Sequence, residues 1–312
     1  MKKVIVFGSL NMDLTIECDQ LPQAGQTVEG HGFFTNPGGK GGNQAAAAAK
    51  MGAPTYMIAR VGEDLFGEEI LRALTGAGVD CRYVDKSARG GTGVAVITRS
   101  GGDNRIILSR GANHEITGAE VEAALESLGG PLDVFVTQYE CSALAVTDAL
   151  AAAKRRGLFT IFNPAPAKAI PPETYPDIDL LVVNQTECAF LTGIYPTDRE
   201  SCQTALGRFK ALGAGGAIIT LGAAGSVCRM GGELIRVESY SVPNVDTTAA
   251  GDAYIGAMAS SLVRGENLEQ GMRLATKTAA LTITRQGAQQ SIPTLDEVEA
   301  YFREEKGSRE NQ

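Results

Sequence analysis

Residues 4–7, 56–61, 134–137, 159–162, 180–183 and 217–220 are short apolar runs, and most lead into polar or glycine-rich residues and then a helical pattern. Such runs read as buried strands, and their alternation with helices predicts an α/β fold around a mainly parallel central sheet flanked by helices. The first run follows Lys2 and Lys3 and mimics a secretion signal. It is too short, and Asn11 and Asp13 follow at once, so it reads as the first strand. An alanine helix from Ala45 stops at Gly52, a second spans 66–77 before Gly78, and 121–128 is helical. Residues 15–35 suit short antiparallel strands. The β-rich runs 93–99 and 105–110, joined through Ser100-Gly101-Gly102-Asp103-Asn104, predict a hairpin standing off the main sheet. With no repeat, linker or composition break, one domain over 1–312 is expected.

In a doubly wound sheet, ligands sit beyond the carboxyl ends of the strands. Asn11, Asp13, Glu140, Asn163, Asn184, Glu187 and Gly222 follow such ends and are expected to face one crevice. The stretch 245–257 enters from a turn at Pro243 and Asn244, carries the helix-start residues Asp246, Thr247 and Thr248, and becomes apolar at helical spacing after Asp252. Ala249-Ala250-Gly251 therefore lies at a helix entry with no bulky side chain. Free N–H groups backed by the macrodipole make an anion site there. A carboxylate at its edge, Asp252, suits a general base facing a phosphoryl group. The plain alternative is a capped helix with Asp252 favoured by the dipole. Gly38–Gly42 admits a small ligand close to the backbone, or is a flexible turn before a capped helix. Asn11 with Asp13 is a polar pair or an Asx-capped turn. Asn184 with Glu187 is a capping pair, or an acidic pair steering hydrated Mg²⁺ towards nucleotide phosphates.

The composition narrows the partners. A net charge of −8 and a pI near 5.0 argue against nucleic acid or an anionic membrane. No run is long enough to span a bilayer. Six scattered cysteines without a C-x-x-C pair read as reduced thiols of a cytoplasmic protein. Two histidines, His31 and His114, make histidine-based metal sites and a Ser-His-Asp triad poor expectations. The P-loop, the G-x-G-x-x-G fingerprint and the protein-kinase motifs are absent.

Where Gly38-Gly39-Lys40-Gly41-Gly42-Asn43-Gln44 is joined by Asp246-Thr247-Thr248-Ala249-Ala250-Gly251-Asp252, the chain resembles the ribokinase family of carbohydrate kinases. Residues 8–13, Arg110-Gly111-Ala112-Asn113, 163–167, 184–187, Thr220-Leu221-Gly222 and 284–289 are similar to family segments in the expected order. The resemblance covers nearly the whole chain. It implies a ribokinase-like α/β fold with a small β-sheet lid from insertions at about 12–37 and 91–110. It implies sugar contacts from Asn11, Asp13, Gly39, Lys40, Asn43, Glu140 and Asp252. Nucleotide would lie against Asn184, Thr220, Leu221, Gly222, Ala223, Gly225, Gly251 and Thr276. Ala249, Ala250 and Gly251 would form the anion hole, Asp252 the base, and Glu187 part of a Mg²⁺ network. The Asp246 carboxylate, the Thr248 carbonyl and backbone oxygens of 282–291, with Thr282, Arg285, Gly287 and Ser291 as contributors, would surround K⁺ and fix the anion-hole loop; the plain alternative is that Asp246 caps the turn and Gly287 ends a helix. The implied reaction is ATP-dependent phosphorylation of D-ribose at its 5-hydroxyl, by a homodimer joined lid to lid.

The residues bear on that implication. Asp13, Glu140 and Asp252 make an acidic pocket, which accepts hydrogen bonds from hydroxyls and repels a substrate already carrying phosphate. Gly42 stands where the family usually has alanine, Ala253-Tyr254 where Thr-Phe is common, and Thr276 where Asn or His is frequent near adenine. The last two bear on nucleotide affinity. The alternatives are a related kinase for deoxyribose, another free sugar or a nucleoside, and a non-catalytic sugar-binding sensor.

Overall fold

The computed structural model describes residues 2–101 and 103–309; residue 102 of the hairpin turn and the two ends of the 1–312 span lie outside the described residues. The chain opens with β1 (Val4–Phe7), β2 (Asn11–Glu17), β3 (His31–Gly38), α1 (Lys40–Lys50) and β4 (Thr55–Gly62). Next come α2 (Leu65–Gly76), β5 (Val79–Ser87), β6 (Gly93–Ser100), β7 (Asp103–Ser109) and α3 (Gly118–Leu128). The middle holds β8 (Val134–Gln138), α4 (Ala143–Arg155), β9 (Phe159–Asn163), β10 (Leu180–Asn184), α5 (Gln185–Thr192) and α6 (Arg199–Ala211). It closes with β11 (Gly216–Thr220), β12 (Ser226–Met230), β13 (Glu233–Val237), α7 (Ala250–Val263), α8 (Leu268–Thr282) and α9 (Leu295–Arg309).

Among the described residues the main sheet has nine strands, ordered β13-β12-β11-β10-β9-β8-β1-β4-β5. It is parallel from β5 to β11, and β12 and β13 run antiparallel at its edge. Every residue of β1 is fully buried, because helices cover both faces of the sheet. Burying each such Val, Ile or Phe contributes about 1.5–3 kcal/mol. The core forms two layers, one under α1, α7 and α8 and one under α3, α4 and α6.

A second sheet of four strands, ordered β3-β2-β6-β7, stands apart. It is mixed: β2 pairs β6 in parallel, and the other two pairings are antiparallel. The strands β5, β12 and β13 are additional to those expected from the sequence. They lie at the sheet's two edges, where charged residues interrupt the apolar pattern that marks the central strands.

Candidate active site

The centre of the cleft is set by how closely α1 approaches α7. A Cβ on Gly256 would lie 2.4 Å from the Ala47 Cβ and 2.5 Å from the Gln44 carbonyl oxygen. The alanine run of α1 and the glycine of α7 therefore let the two helices pack almost backbone to backbone. That contact brings Asn43 and Gln44 to Asp252, more than 200 residues away in the chain. Asp252 as a residue is 6% exposed; its Oδ2 accepts from Asn43 Nδ2 at 2.9 Å and its Oδ1 from Gln44 Nε2 at 2.9 Å. Gln44 Oε1 accepts in turn from Gln138 Nε2, at the end of β8, at 2.6 Å. Asn43 Oδ1 is buried and has no partner, so it can accept from a hydroxyl entering the cleft.

Around this chain lie the remaining acidic groups. Ser9 Oγ donates to Glu140 Oε2 at 2.5 Å, and the Lys40 backbone N–H donates to the same oxygen at 3.1 Å. Asn11 Oδ1 accepts from Asn113 Nδ2 at 2.8 Å. A Cβ on Gly38 would lie 2.3 Å from Asp13 Oδ2, and one on Gly41 would lie 2.6 Å from the Gly8 carbonyl carbon. The glycine cluster is thus required by contacts within the chain itself, in addition to any ligand. Burial first, and then the charges of Glu140 and Asp252, push the Asp13 carboxyl up to about 7. Burial works against the Lys40 ammonium, but the carboxylates of Asp252, Glu140, Glu187 and Asp13 outweigh it and hold Lys40 above its ordinary value.

On the other side of Asp252 a cavity of about 610 Å³ opens. Thr220, Gly222, Ala223, Gly225, Gly251 and Thr276 line it, with Tyr240, Val242, Ala279 and Ile283 supplying apolar walls. Asn184 stands beside Thr220 in the β10–β11 register and is exposed, while Leu221 is buried behind the lining. Asn184 Oδ1 accepts from the Glu187 N–H at 2.8 Å and Glu187 Oε2 accepts from the Asn184 N–H at 2.9 Å, so the capping pair is formed. Burial raises the Glu187 carboxyl, offset in part by that Asn184 N–H and by Lys40.

Helix α7 begins after Ala249, whose φ of 61° is left-handed although it is not glycine. The first i→i−4 bond runs from the Ala253 N–H to the Ala249 carbonyl; before it the Ala250 N–H donates to the Thr247 carbonyl at 3.3 Å, and the Gly251 and Asp252 amides have no partner within the helix. A Cβ on Gly251 would meet no atom within 4 Å, so the space before those amides is open.

The side chains of the expected cation site are held by contacts within the chain. Asp246 Oδ1 accepts from the Thr248 N–H at 3.0 Å and from Thr248 Oγ1 at 2.6 Å. Its Oδ2 accepts from the Gly287 N–H at 3.2 Å and from Arg99 Nη2, on lid strand β6, at 3.1 Å. Arg285 pairs with Glu297, and the hydroxyls of Thr282 and Ser291 donate to the carbonyls of Thr278 and Ala288. The Asp246 carboxylate thus accepts four hydrogen bonds, one of them from a guanidinium.

Comparison with known proteins decides the family. The model of the pfkB family carbohydrate kinases matches residues 1–295. The chain belongs to this family. It is 38% identical to a ribokinase of Staphylococcus aureus, over 95% of this chain and 98% of the relative. It is 32% identical to a deoxyribokinase of Salmonella typhi, over 96% of this chain and 98% of the relative. The structure of Arabidopsis thaliana ribokinase complexed with ribose and ATP superposes with a TM-score of 0.87, at 32% identity, over 95% of this chain and 97% of that one. This pfkB-family chain is therefore a carbohydrate kinase, transferring phosphate to an alcohol group. Sequence reasoning missed Gln44 and Gln138, Ser9, the apolar wall from Tyr240 to Ile283, and Arg99. Two consecutive amides opening the alanine helix were the available signal for Gln44; nothing local marks Arg99.

Proposed function

We propose that this chain phosphorylates D-ribose at the 5-hydroxyl with ATP, giving ribose 5-phosphate and ADP. The observation that carries the reading is Asp252, buried in the first turn of α7 and gripped by Asn43 and Gln44. Two fixed amide donors keep the carboxylate in one orientation, which a base needs if the hydroxyl is to meet it in line with the entering phosphoryl group. Asn11, Asp13, Gly39, Lys40, Asn43 and Glu140 form the sugar pocket in this reading. The unpartnered Asn43 Oδ1 and the raised Asp13 carboxyl both suit donors from a polyhydroxyl ligand. Asp252 accepts the hydroxyl proton, and the amides of Ala249, Ala250 and Gly251 receive the charge that develops on the phosphoryl oxygens. Asn184 and residues 220–225, with Thr276, border the nucleotide.

Among the described residues no group of three or more His, Cys, Asp or Glu side chains could hold a metal. A divalent ion such as Mg²⁺ would accordingly arrive on the nucleotide phosphates, with Glu187 ordering its water; it supplies charge neutralisation during transfer. A monovalent ion such as K⁺ is proposed beside the Asp246 carboxylate, held with it by the Thr248 carbonyl and backbone oxygens of 282–291, and Arg99 is a further partner of that carboxylate.

A homodimer is proposed on the lid. Ile106 and Ile107 of β7 are 61% and 74% exposed, and Phe33 of β3 is 64% exposed. An apolar surface with open strand edges is covered by the same face of a second copy. Light scattering at micromolar concentration should read a dimer, and a monomer would end this part of the proposal. No helix of the described residues is long and apolar enough to cross a membrane, and a cytoplasmic site of action is proposed. The deciding experiment is ADP release with ribose, deoxyribose, fructose and adenosine. Ribose should give the highest kcat/KM; a larger value for another acceptor reassigns the substrate, and no turnover with any would favour a sugar sensor.

A further inference from the structure

We infer that Gln138 is a positioning residue for the phosphoryl transfer, acting on the Asp252 carboxylate through Gln44; this rests on the kinase reading above. Both glutamines are fully buried, so neither touches substrate. Both stand on rigid elements. Gln138 ends β8, where its register partner is Asn163 of β9, and Gln44 lies in α1, packed on α7. The path from the sheet to the base is short: Gln138 Nε2 donates to Gln44 Oε1 at 2.6 Å, and Gln44 Nε2 donates to Asp252 Oδ1 at 2.9 Å.

The chemistry of the three groups allows one direction only. An ionised carboxylate only accepts, so Gln44 must turn its NH₂ to Asp252. The amide carbonyl then points to the far side and needs a donor there. Gln138 must present its own NH₂, since two carbonyl oxygens at that distance would repel. The cost falls at the end of the path: Gln138 Oε1 is buried without a partner, which is unfavourable. Gly8 admits it, because a Cβ there would lie 2.1 Å from that oxygen. What Gln138 adds concerns the proton. When Asp252 takes the proton of the attacking hydroxyl, its carboxyl gains a donor. Gln44 alone could then turn its carbonyl to Asp252 and hold the proton on Oδ1. The Gln138 NH₂ keeps the Gln44 carbonyl away, so Oδ1 meets a donor in both protonation states, as Oδ2 does through Asn43. The base keeps one orientation through the transfer, and its proton is not trapped against Gln44.

The test is a double-mutant cycle on kcat with ribose: Gln44→Met, Gln138→Met and the double variant. Gln138→Met should lower kcat about fivefold and Gln44→Met about thirtyfold, each with ribose KM within about twofold. Because Gln138 acts through Gln44, the double variant should be no slower than Gln44→Met alone. Losses that multiply, or a Gln138→Met enzyme with wild-type kcat, overturn the inference. Gln138→Glu keeps the side-chain shape and adds a pH readout. Ionised, the new carboxylate competes with Asp252 for the one Gln44 NH₂; protonated, it donates to Gln44 Oε1 as the glutamine does. The kcat of this variant relative to the wild type should therefore be lowest near about pH 9 and rise about tenfold by about pH 6. Asp13, Lys40, Glu140 and Glu187, the other charged groups around Asp252, are common to both enzymes, and taking the ratio removes their own titration. A ratio that is flat, or that rises with pH, overturns the inference. The ligand-free protein supplies a separate readout. The Gln44 side-chain NH₂ protons, followed by ¹⁵N NMR, should exchange with solvent at least about tenfold faster in Gln138→Met than in the wild type. Unchanged exchange overturns the positioning role whether or not ribose is the acceptor. A wild type that phosphorylates no acceptor ends the kinase reading instead, and the exchange rates still decide whether Gln138 holds Gln44.

Discussion

On the sugar side of Asp252 the polar side chains are tied to one another, whereas the groove on the other side is walled by backbone, small residues and apolar side chains. Gln138, Gln44, Asn43 and Asp252 form a hydrogen-bonded chain, and Ser9 and the Lys40 amide fix Glu140 beside it. Across the first turn of α7, the cavity lining runs through Gly222, Gly225, Ala250, Gly251, Val242 and Ile283. In the proposed reading the difference follows from what each half has to recognise. A sugar is a ring of hydroxyls, each needing an acceptor or donor at a fixed place, so the protein holds its own groups in place beforehand. A flat aromatic base and a chain of phosphates are met by an apolar slot and by backbone amides. Substitutions on the first side should therefore act through charge and orientation, and those on the second through space.

The largest effect is expected at the junction. Asp252→Asn keeps the size of the side chain and removes the base. It should lower kcat by roughly 10²–10⁴-fold while ribose affinity changes by only a few-fold. A kcat within a few-fold of the wild type would remove Asp252 from the mechanism and with it the division between the two halves. Next comes Gly251→Ala, on the nucleotide side. Since a Cβ there meets no protein atom, the variant should fold, and replacing a helical glycine should stabilise it by about 0.5–1 kcal/mol. The methyl occupies the space before the first-turn amides, and kcat/KM for ATP should fall by about tenfold with ribose binding unchanged. A more stable protein with unaltered ATP kinetics would show that phosphate does not approach this turn.

A third test sharpens the electrostatics of the sugar side. Without ligand, burial and the charges of Glu140 and Asp252 hold the Asp13 carboxyl up at about 7. Sugar hydroxyls donate to the ionised form, so the bound state keeps Asp13 ionised to lower pH than the free state does. Between those two values binding expels a proton, and ribose affinity falls as pH drops. The slope should reach at most about tenfold per pH unit. Calorimetry in buffers of different ionisation enthalpy should detect proton release near pH 6–7, and Asp13→Asn should abolish it. Proton uptake would reverse the sign and mean that Asp13 binds sugar protonated.

The same division explains how much of this molecule is legible in its sequence. The central strands are read easily, because burial on both faces makes β1 apolar throughout and β8, β10 and β11 apolar up to their polar last residues. Their polar ends announce the crevice, and the helix entry at 249–252 announces an anion site. The edge strands β5, β12 and β13 are hidden by alternating charges. Gln44 and Gln138 act only through a contact across 94 residues, and Gln44 reaches Asp252 across 208. No local pattern encodes such a pairing. The wall of the groove beyond Asp252 is hidden for the opposite reason: Tyr240, Val242, Ala279 and Ile283 are ordinary apolar residues, and only the fold makes them a surface. The bond from Arg99 of the lid to Asp246 is equally hidden, because its partner lies 147 residues away in another part of the chain.

The smallest effect should come from Thr276, the position whose departure from the family pattern bears on nucleotide affinity. Its side chain lines the groove, which suggests a polar contact with the base. The structure assigns its hydroxyl elsewhere: Thr276 Oγ1 donates to the Met272 carbonyl one turn back, at 2.8 Å. A hydroxyl spent on its own helix has no proton left for adenine, and what it offers the groove is mainly its methyl group. Thr276→Val keeps that methyl and the side-chain shape. It should change KM for ATP by less than about twofold, and stability little, because the carbonyl it releases remains bonded within the helix. Thr276→Asn, by contrast, places an amide at the edge of the groove and should alter preference among ATP and GTP more than it alters kcat. A rise of more than about fivefold in KM for ATP with valine would mean that the hydroxyl turns towards the nucleotide on binding. The groove would then share the directed polar recognition of the sugar side.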